Sequence, residues 1–118
     1  MSDARCATGG GDGVEDITVN DLAERLKNGN APIVIDVREP EEYALARIEG
    51  AVLKPLGDMM RWAQELDRDK EYVMQCHTGQ RSAYAAHVLR RMGFKNARNL
   101  IGGIEAWSVY VDPRVPRY

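Results

Sequence analysis

Seven consecutive residues, Cys76-His77-Thr78-Gly79-Gln80-Arg81-Ser82, carry the clearest chemical signal in the chain. Cys76 follows a strand-like run, Glu71-Tyr72-Val73-Met74-Gln75, and a helical pattern starts at Arg81. A thiol so placed faces a helix N-terminus, where unpaired N–H groups and the helix dipole both favour an anion. Thiolate is the nucleophilic form of cysteine, and helix N-termini promote it. Gly79 removes a side chain from the middle of the loop, so backbone can approach a ligand closely. Arg81 adds a permanent positive charge with a fixed fork of donors. Thr78 and Ser82 add small hydroxyls, and Ser82 is also a good helix cap. Many free cysteines are only small buried hydrophobes, but the glycine, arginine and hydroxyls around Cys76 weigh against that reading. The loop reads as a cradle for a reactive sulfur anion.

Such a loop needs a strand before it and a helix after it. Tyr72 to Gln75 supplies the strand. Tyr84, Ala85, Val88, Leu89 and Met92 recur at helical spacing and predict the buried face of the helix, closed by Gly93. His87, Arg90 and Arg91 then fall on a solvated face. Upstream, Thr18 and Asp21 resemble a capping box, and Val19, Leu22, Ala23 and Leu26 predict a helix stopped by Gly29. Ile33-Val34-Ile35-Asp36-Val37 is a continuous apolar, β-branched run, as expected of a strand buried on both faces of a parallel sheet. Pro40 opens a short helix, Ala51-Val52-Leu53 predicts a short strand, and Met59, Trp62, Ala63 and Leu66 predict a further core-facing helix. Ala97 to Leu100 predicts the last strand, with Gly102-Gly103 leading into a helix that contains Ala106 and Trp107. Strands alternating with helices predict an α/β domain with a mainly parallel sheet. The Cys76 loop would then lie at a strand's carboxyl end, where such sheets bind ligands.

Bulk properties bound the function. The 118 residues suit one domain, with a flexible tail or linker over 1–15, rich in glycine, and the folded domain over 16–118. A net charge of −2 gives no electrostatic case for nucleic acid or an anionic membrane surface. No apolar run approaches membrane-spanning length, and the first residues lack the apolar core of a signal peptide. Two cysteines, Cys6 and Cys76, make no disulfide framework and point to a reducing cytoplasm. Cys6 reads as an incidental thiol of the tail. No metal or cofactor is expected, because Cys76 has no metal-ligating neighbours at ligand spacing.

The order of motifs resembles that of a single rhodanese domain. Asp36-Val37-Arg38-Glu39, Glu42-Tyr43, Arg47-Ile48-Glu49-Gly50-Ala51, Cys76-x-x-Gly79-x-Arg81-Ser82, Gly93-Phe94, Asn99-Leu100 and Gly102-Gly103-Ile104-Glu105-Ala106-Trp107 carry the likeness over about residues 16–108. The resemblance implies a five-stranded, mostly parallel sheet flanked by helices on both faces. It also implies sulfurtransferase chemistry, in which Cys76 accepts a sulfane sulfur from thiosulfate or a protein persulfide and passes it to a nucleophile. Backbone N–H groups of His77, Thr78, Gly79, Gln80 and Arg81 would stabilise the anion, and Arg81 would also favour an anionic donor. Asp36, Arg38 and Glu42 would support the site as ion pairs. Implied partners are small sulfur donors, a cysteine desulfurase, or a ubiquitin-like sulfur carrier. The tail from Trp107 to Tyr118 is similar to that of rhodanese domains fused to E1-like adenylyltransferases. One departure is Arg47, where many members carry histidine, so no role of an imidazole transfers there.

Two other readings compete. A non-catalytic module used for binding or regulation would not need to keep a cysteine at position 76. A phosphatase or arsenate reductase of the cell-cycle phosphatase type needs five residues between cysteine and arginine, whereas Cys76 and Arg81 are separated by four. The shorter loop leaves less room for a tetrahedral oxyanion. His77 is a weak general-base candidate, since thiolate attack on sulfur is direct.

Overall fold

The computed structural model describes residues 15–118; the expected glycine-rich tail, with Cys6, lies almost wholly outside the described residues. Elements alternate as β1 (Asp16–Ile17), α1 (Val19–Lys27), β2 (Ile33–Asp36), α2 (Pro40–Leu45), β3 (Val52–Leu53), α3 (Met59–Trp62), β4 (Glu71–Gln75), α4 (Gln80–Arg91), β5 (Asn96–Leu100) and α5 (Gly103–Tyr110). The five strands form one sheet in the order β1-β5-β4-β2-β3, and every pairing is parallel. Among the described residues, no helix is long and apolar enough to cross a membrane.

Side-chain alternation along the strands sends the core to both faces of the sheet. Ile35, Val37, Tyr72 and Met74 pack with Met59, Trp62, Ala63, Ala85 and Leu89, from α3 and its extension and from α4. Val34, Val73 and Leu100 pack on the other face with Val19 and Leu22 of α1 and Ile104 and Trp107 of α5. Thr18 caps α1 by accepting the Asp21 N–H at 3.1 Å. Glu39 and Glu42 form a capping box across the start of α2, with Pro40 in its first turn.

Three local expectations change. The apolar stripe from Met59 to Leu66 is not one helix: a single α turn at Met59–Trp62 is flanked by 3-10 turns at Leu56–Asp58 and Ala63–Glu65. Trp62 anchors it by donating its indole N–H to Pro55 O at 2.8 Å. Tyr84 and Leu26 share the helical spacing of core residues but are exposed, because α4 buries its Ser82, Ala85, Ala86 and Leu89 stripe and α1 ends one residue beyond Leu26. Arg90 is half-buried rather than solvated, donating to Ala97 O at 2.8 Å. The two-residue β1 has too few residues for periodicity to reveal, and its pairing with Asn99 and Leu100 completes the sheet. Arg47 lies over the Tyr43 ring, 4.6 Å from its centroid, as a surface contact.

Candidate active site

The parallel register sets β2 beside β4, with Asp36 opposite Gln75, and β4 beside β5, with Met74 opposite Asn99. Three strands therefore end side by side, and the segments that leave them bring Arg38, Cys76 and the Gly102-Gly103 turn to one edge of the sheet.

Cys76 is buried, only 1% exposed. Its Sγ accepts the Gly79 N–H at 3.1 Å and the Ser82 N–H at 3.4 Å, with the Ser82 hydroxyl 3.2 Å away. A sulfur surrounded in this way has donors suited to an anion. Of the five N–H groups expected from His77 to Arg81, Gly79 alone donates to the sulfur in this structure, and the second N–H comes from Ser82. Thr78 and Gln80 are exposed, Gly79 is buried, and His77 is half-buried.

The loop curls because its carbonyls are held from outside. Ile104 N–H donates to Cys76 O at 2.9 Å and Glu105 N–H to His77 O at 3.0 Å. The first N–H groups of α5 thus grip the loop's carbonyls and leave its own N–H groups free to face the sulfur. This contact depends on Gly103, at φ +60°, where a Cβ would stand 2.5 Å from both carbonyl oxygens. Gly79, at φ +108°, supplies the left-handed turn that precedes α4. Behind the loop, Gln75 donates its side-chain amide to Cys76 O at 3.0 Å.

Two ion pairs surround this cradle. Asp36 and Arg38 are fully buried, joined through Nε–Oδ1 at 2.9 Å and Nη2–Oδ2 at 2.7 Å, and Arg38 also donates to Ala46 O at 2.6 Å. Burial opposes the Arg38 charge, but its bonds to Asp36 and Tyr118 prevail and raise its pKa. The second pair is half-exposed: Arg81 donates to both oxygens of Glu42, at 2.7 and 3.0 Å. Those bonds, aided by the Glu39 N–H and the Tyr118 hydroxyl against partial burial, lower Glu42 to about 2. The same pairing pushes Arg81 upward. Ser82 thus touches Cys76 directly, Glu42 holds Arg81 at the end of the loop, and the Tyr118 hydroxyl links Glu42 to Arg38 and its partner Asp36.

Sequence reasoning missed two participants. Asn99 sits on β5 with its Oδ1 2.6 Å from the Ser82 hydroxyl. It stands in a quoted motif, yet only the register of β5 against β4 places it behind the loop. Tyr118 stacks on His77, with ring centroids 4.0 Å apart and planes within 8°. Its hydroxyl joins Arg38 and Glu42, and nothing local to residue 118 signals this. Among the described residues, no group of three or more histidine, cysteine or acidic side chains is arranged to hold a metal ion.

Residues 18–109 match the family model described as a rhodanese-like domain. YtwF of Bacillus subtilis, whose given name proposes a sulfurtransferase, is 37% identical over 101 residues, covering 86% of this chain and 97% of that protein. The adenylyltransferase and sulfurtransferase uba4 of Ogataea parapolymorpha is 34% identical over 98 residues, covering 80% of this chain but 25% of that protein. The chain spans 26–51% of three further curated relatives. A crystal structure of a rhodanese-related protein from Thermoplasma volcanium superposes with a TM-score of 0.75 at 33% identity, covering 88% of this chain and 99% of the other.

Proposed function

The chain belongs to the rhodanese-like family, and from that premise we propose that it is a sulfurtransferase working through a persulfide on Cys76. The observation that carries the reading is the set of donors on Sγ: the Gly79 and Ser82 N–H groups and the Ser82 hydroxyl. They are donors suited to an anionic sulfur, whose attack needs no neighbouring base. The thiolate attacks the outer sulfur of a donor, the donor's S–S bond breaks, and its electron pair leaves on sulfite or on a thiolate. A nucleophilic acceptor then attacks the outer sulfur of the Cys76 persulfide, and the second S–S electron pair returns to Cys76. No external oxidant or reductant is consumed.

The choice of donor follows from charge. Both Nη groups of Arg81 are engaged by Glu42, and Arg38 is engaged by Asp36. A small dianion such as thiosulfate must compete with Glu42 for Arg81, whereas a thiol persulfide need not. We therefore expect a persulfide donor, such as the one a cysteine desulfurase carries, to load Cys76 faster than thiosulfate. The likeness to a sulfur carrier protein and to adenylyltransferase–sulfurtransferases supports a sulfur carrier as acceptor; a reducing cytoplasm as its setting, and residues 16–118 as the folded unit, are part of the same proposal.

The test incubates the protein with thiosulfate or with a persulfide-loaded desulfurase and reads intact mass, then thiocyanate release on adding cyanide. A one-sulfur gain that cyanide removes, absent from Cys76→Ser, is the expected result; Cys6 remains in that variant as an internal control. No gain with either donor overturns the proposal. Faster loading by thiosulfate would overturn the order of donors alone.

A further inference from the structure

Tyr118 belongs to none of the motifs around the cysteine, yet it touches one end of the loop that holds it and reaches the other through Glu42. Its ring lies flat on His77, the first residue after Cys76, with centroids 4.0 Å apart. Its hydroxyl donates to Glu42 Oε2 at 2.8 Å, and Glu42 holds Arg81 at the far end of the loop. The same hydroxyl accepts the Arg38 Nη1–H at 2.7 Å. Arg38 and Glu42 lie 80 and 76 residues away in sequence, so the contact is wholly tertiary. Burial, followed by the neighbouring Glu42, pushes the phenol pKa up against the opposing influence of Arg38, which keeps the hydroxyl able to donate.

The tail that delivers Tyr118 is itself fastened. Ser108 donates its hydroxyl to Val115 O, Val115 packs against the Trp107 face of the core, and Arg117 pairs with Glu105. Glu105 N–H in turn grips His77 O. The tail and the loop therefore share α5 as a common support.

We propose that Tyr118 is a positioning residue for the Cys76 loop: stacking on His77 and bridging the Asp36–Arg38 and Glu42–Arg81 pairs, it holds the loop in the curl that aims N–H groups at Sγ. It touches neither the sulfur nor the reacting atoms and acts through the loop. Without the ring, His77 loses its only aromatic neighbour among the described residues. Without the hydroxyl, Glu42 loses one of its donors and buried Arg38 loses an acceptor. Both changes let the loop relax and lengthen the contacts from Gly79 and Ser82 to the sulfur. The titratable and charged groups around the loop are Cys76, His77, Arg81, Glu42, Arg38, Asp36 and Glu105.

This inference deepens the sulfur-transfer reading and rests on it for its rate arm, but its first arm uses no sulfur chemistry. The full chain and its Tyr118→Ala and Tyr118→Phe variants are alkylated with iodoacetamide across a range of pH, and the label on the Cys76 peptide is counted. Weakened donors to the thiolate displace the Tyr118→Ala profile to higher pH, by roughly half a unit. Tyr118→Phe, which keeps the stack, falls between. In single-turnover loading from a persulfide donor, Tyr118→Ala is slowed about tenfold and Tyr118→Phe less. A Tyr118→Ala profile that coincides with the parent's, with only a lower melting temperature, would make the residue structural and overturn the proposal. Faster loading with an unmoved profile would make it a cover over the thiol and also overturn it. Should Tyr118→Ala not fold, Tyr118→Phe decides: an unmoved profile and loading within twofold of the parent overturn the proposal. If the parent takes up no sulfur but the profile still moves, the sulfur-transfer reading fails and the positioning role stands.

Discussion

Ser82 has one hydroxyl proton and two neighbours that could take it, Cys76 Sγ at 3.2 Å and Asn99 Oδ1 at 2.6 Å. With a neutral thiol, the proton can go to Asn99 while the S–H faces the Ser82 oxygen. Once the sulfur is an anion, the Ser82 proton is better placed on it, provided Asn99 turns its NH2 towards Ser82. Ser82 is then the one side-chain donor on the sulfur, beside the N–H groups of Gly79 and Ser82 itself. Ser82→Ala removes that donor and leaves Asn99 unpaired, costing about 1.5 kcal/mol of anion stabilisation, roughly a tenfold slower sulfur uptake. Stopped-flow loading of the variant checks this. An unchanged rate would leave the backbone donors as sufficient. The cysteine and its hydroxyl neighbours were legible in sequence because they lie within seven residues, but Asn99 was not, because its contact depends on strand register.

At the scale of elements, the site is a junction between the N-termini of two helices. Helix α4 begins under the sulfur, and α5 begins at the loop's carbonyls, so both present free N–H groups to the same seven residues. The second arrangement requires Gly103 to lie against the Cys76 and His77 carbonyls in a left-handed conformation. Gly103→Ala places a methyl group 2.5 Å from two backbone oxygens that cannot yield without moving the loop. Left-handed strain alone costs about 1–3 kcal/mol. The variant should lose that much or more in denaturant unfolding and lose sulfur uptake with it. A stable variant that has lost uptake would place the effect in the loop alone, while an unaltered one would mean that α5 can dock without the close approach. Elements with a clear local signal were readable, the apolar run of β4 and the periodic α4 above all. The broken helix around Trp62 was not, because a stripe of apolar residues reports which side faces the core, not whether the backbone keeps one helical hydrogen-bond pattern.

The molecule as a whole is held at its functional edge by charge pairs between distant segments. Arg81 on α4 and Glu42 on α2 tie two helices across the mouth of the site. Glu42 is held at about 2, below the ordinary value of 4.5, so the folded state binds this proton less readily than the unfolded chain. The stability it contributes is complete above the unfolded pKa and is lost as pH falls from there through about 2. The pair is open to solvent, which limits the effect to about 1 kcal/mol, or roughly 4 °C in melting temperature. Glu42→Gln should therefore melt lower than the parent at pH 7, and the two curves should converge between about pH 5 and pH 2. Parallel curves across that range would show that the pairing contributes nothing to the fold.

Much was determined by the sequence alone. Alternating strand and helix patterns specified an α/β sheet with its core on both faces, since continuous apolar strand runs and period-3.6 helical stripes are written residue by residue. The spacing from Cys76 to Arg81 specified a short loop opening a helix, since seven neighbouring residues have few ways to arrange themselves. Tertiary structure alone decided that Arg81 meets Glu42, that Arg38 meets Tyr118, and which residue closes the loop from the other side of the fold. Those contacts join segments up to 80 residues apart, and only parallel strand register and the packing of α5 bring them within hydrogen-bonding distance. Local sequence can specify the reactive cysteine, but the environment that would tune it is assembled from parts that are neighbours only after folding.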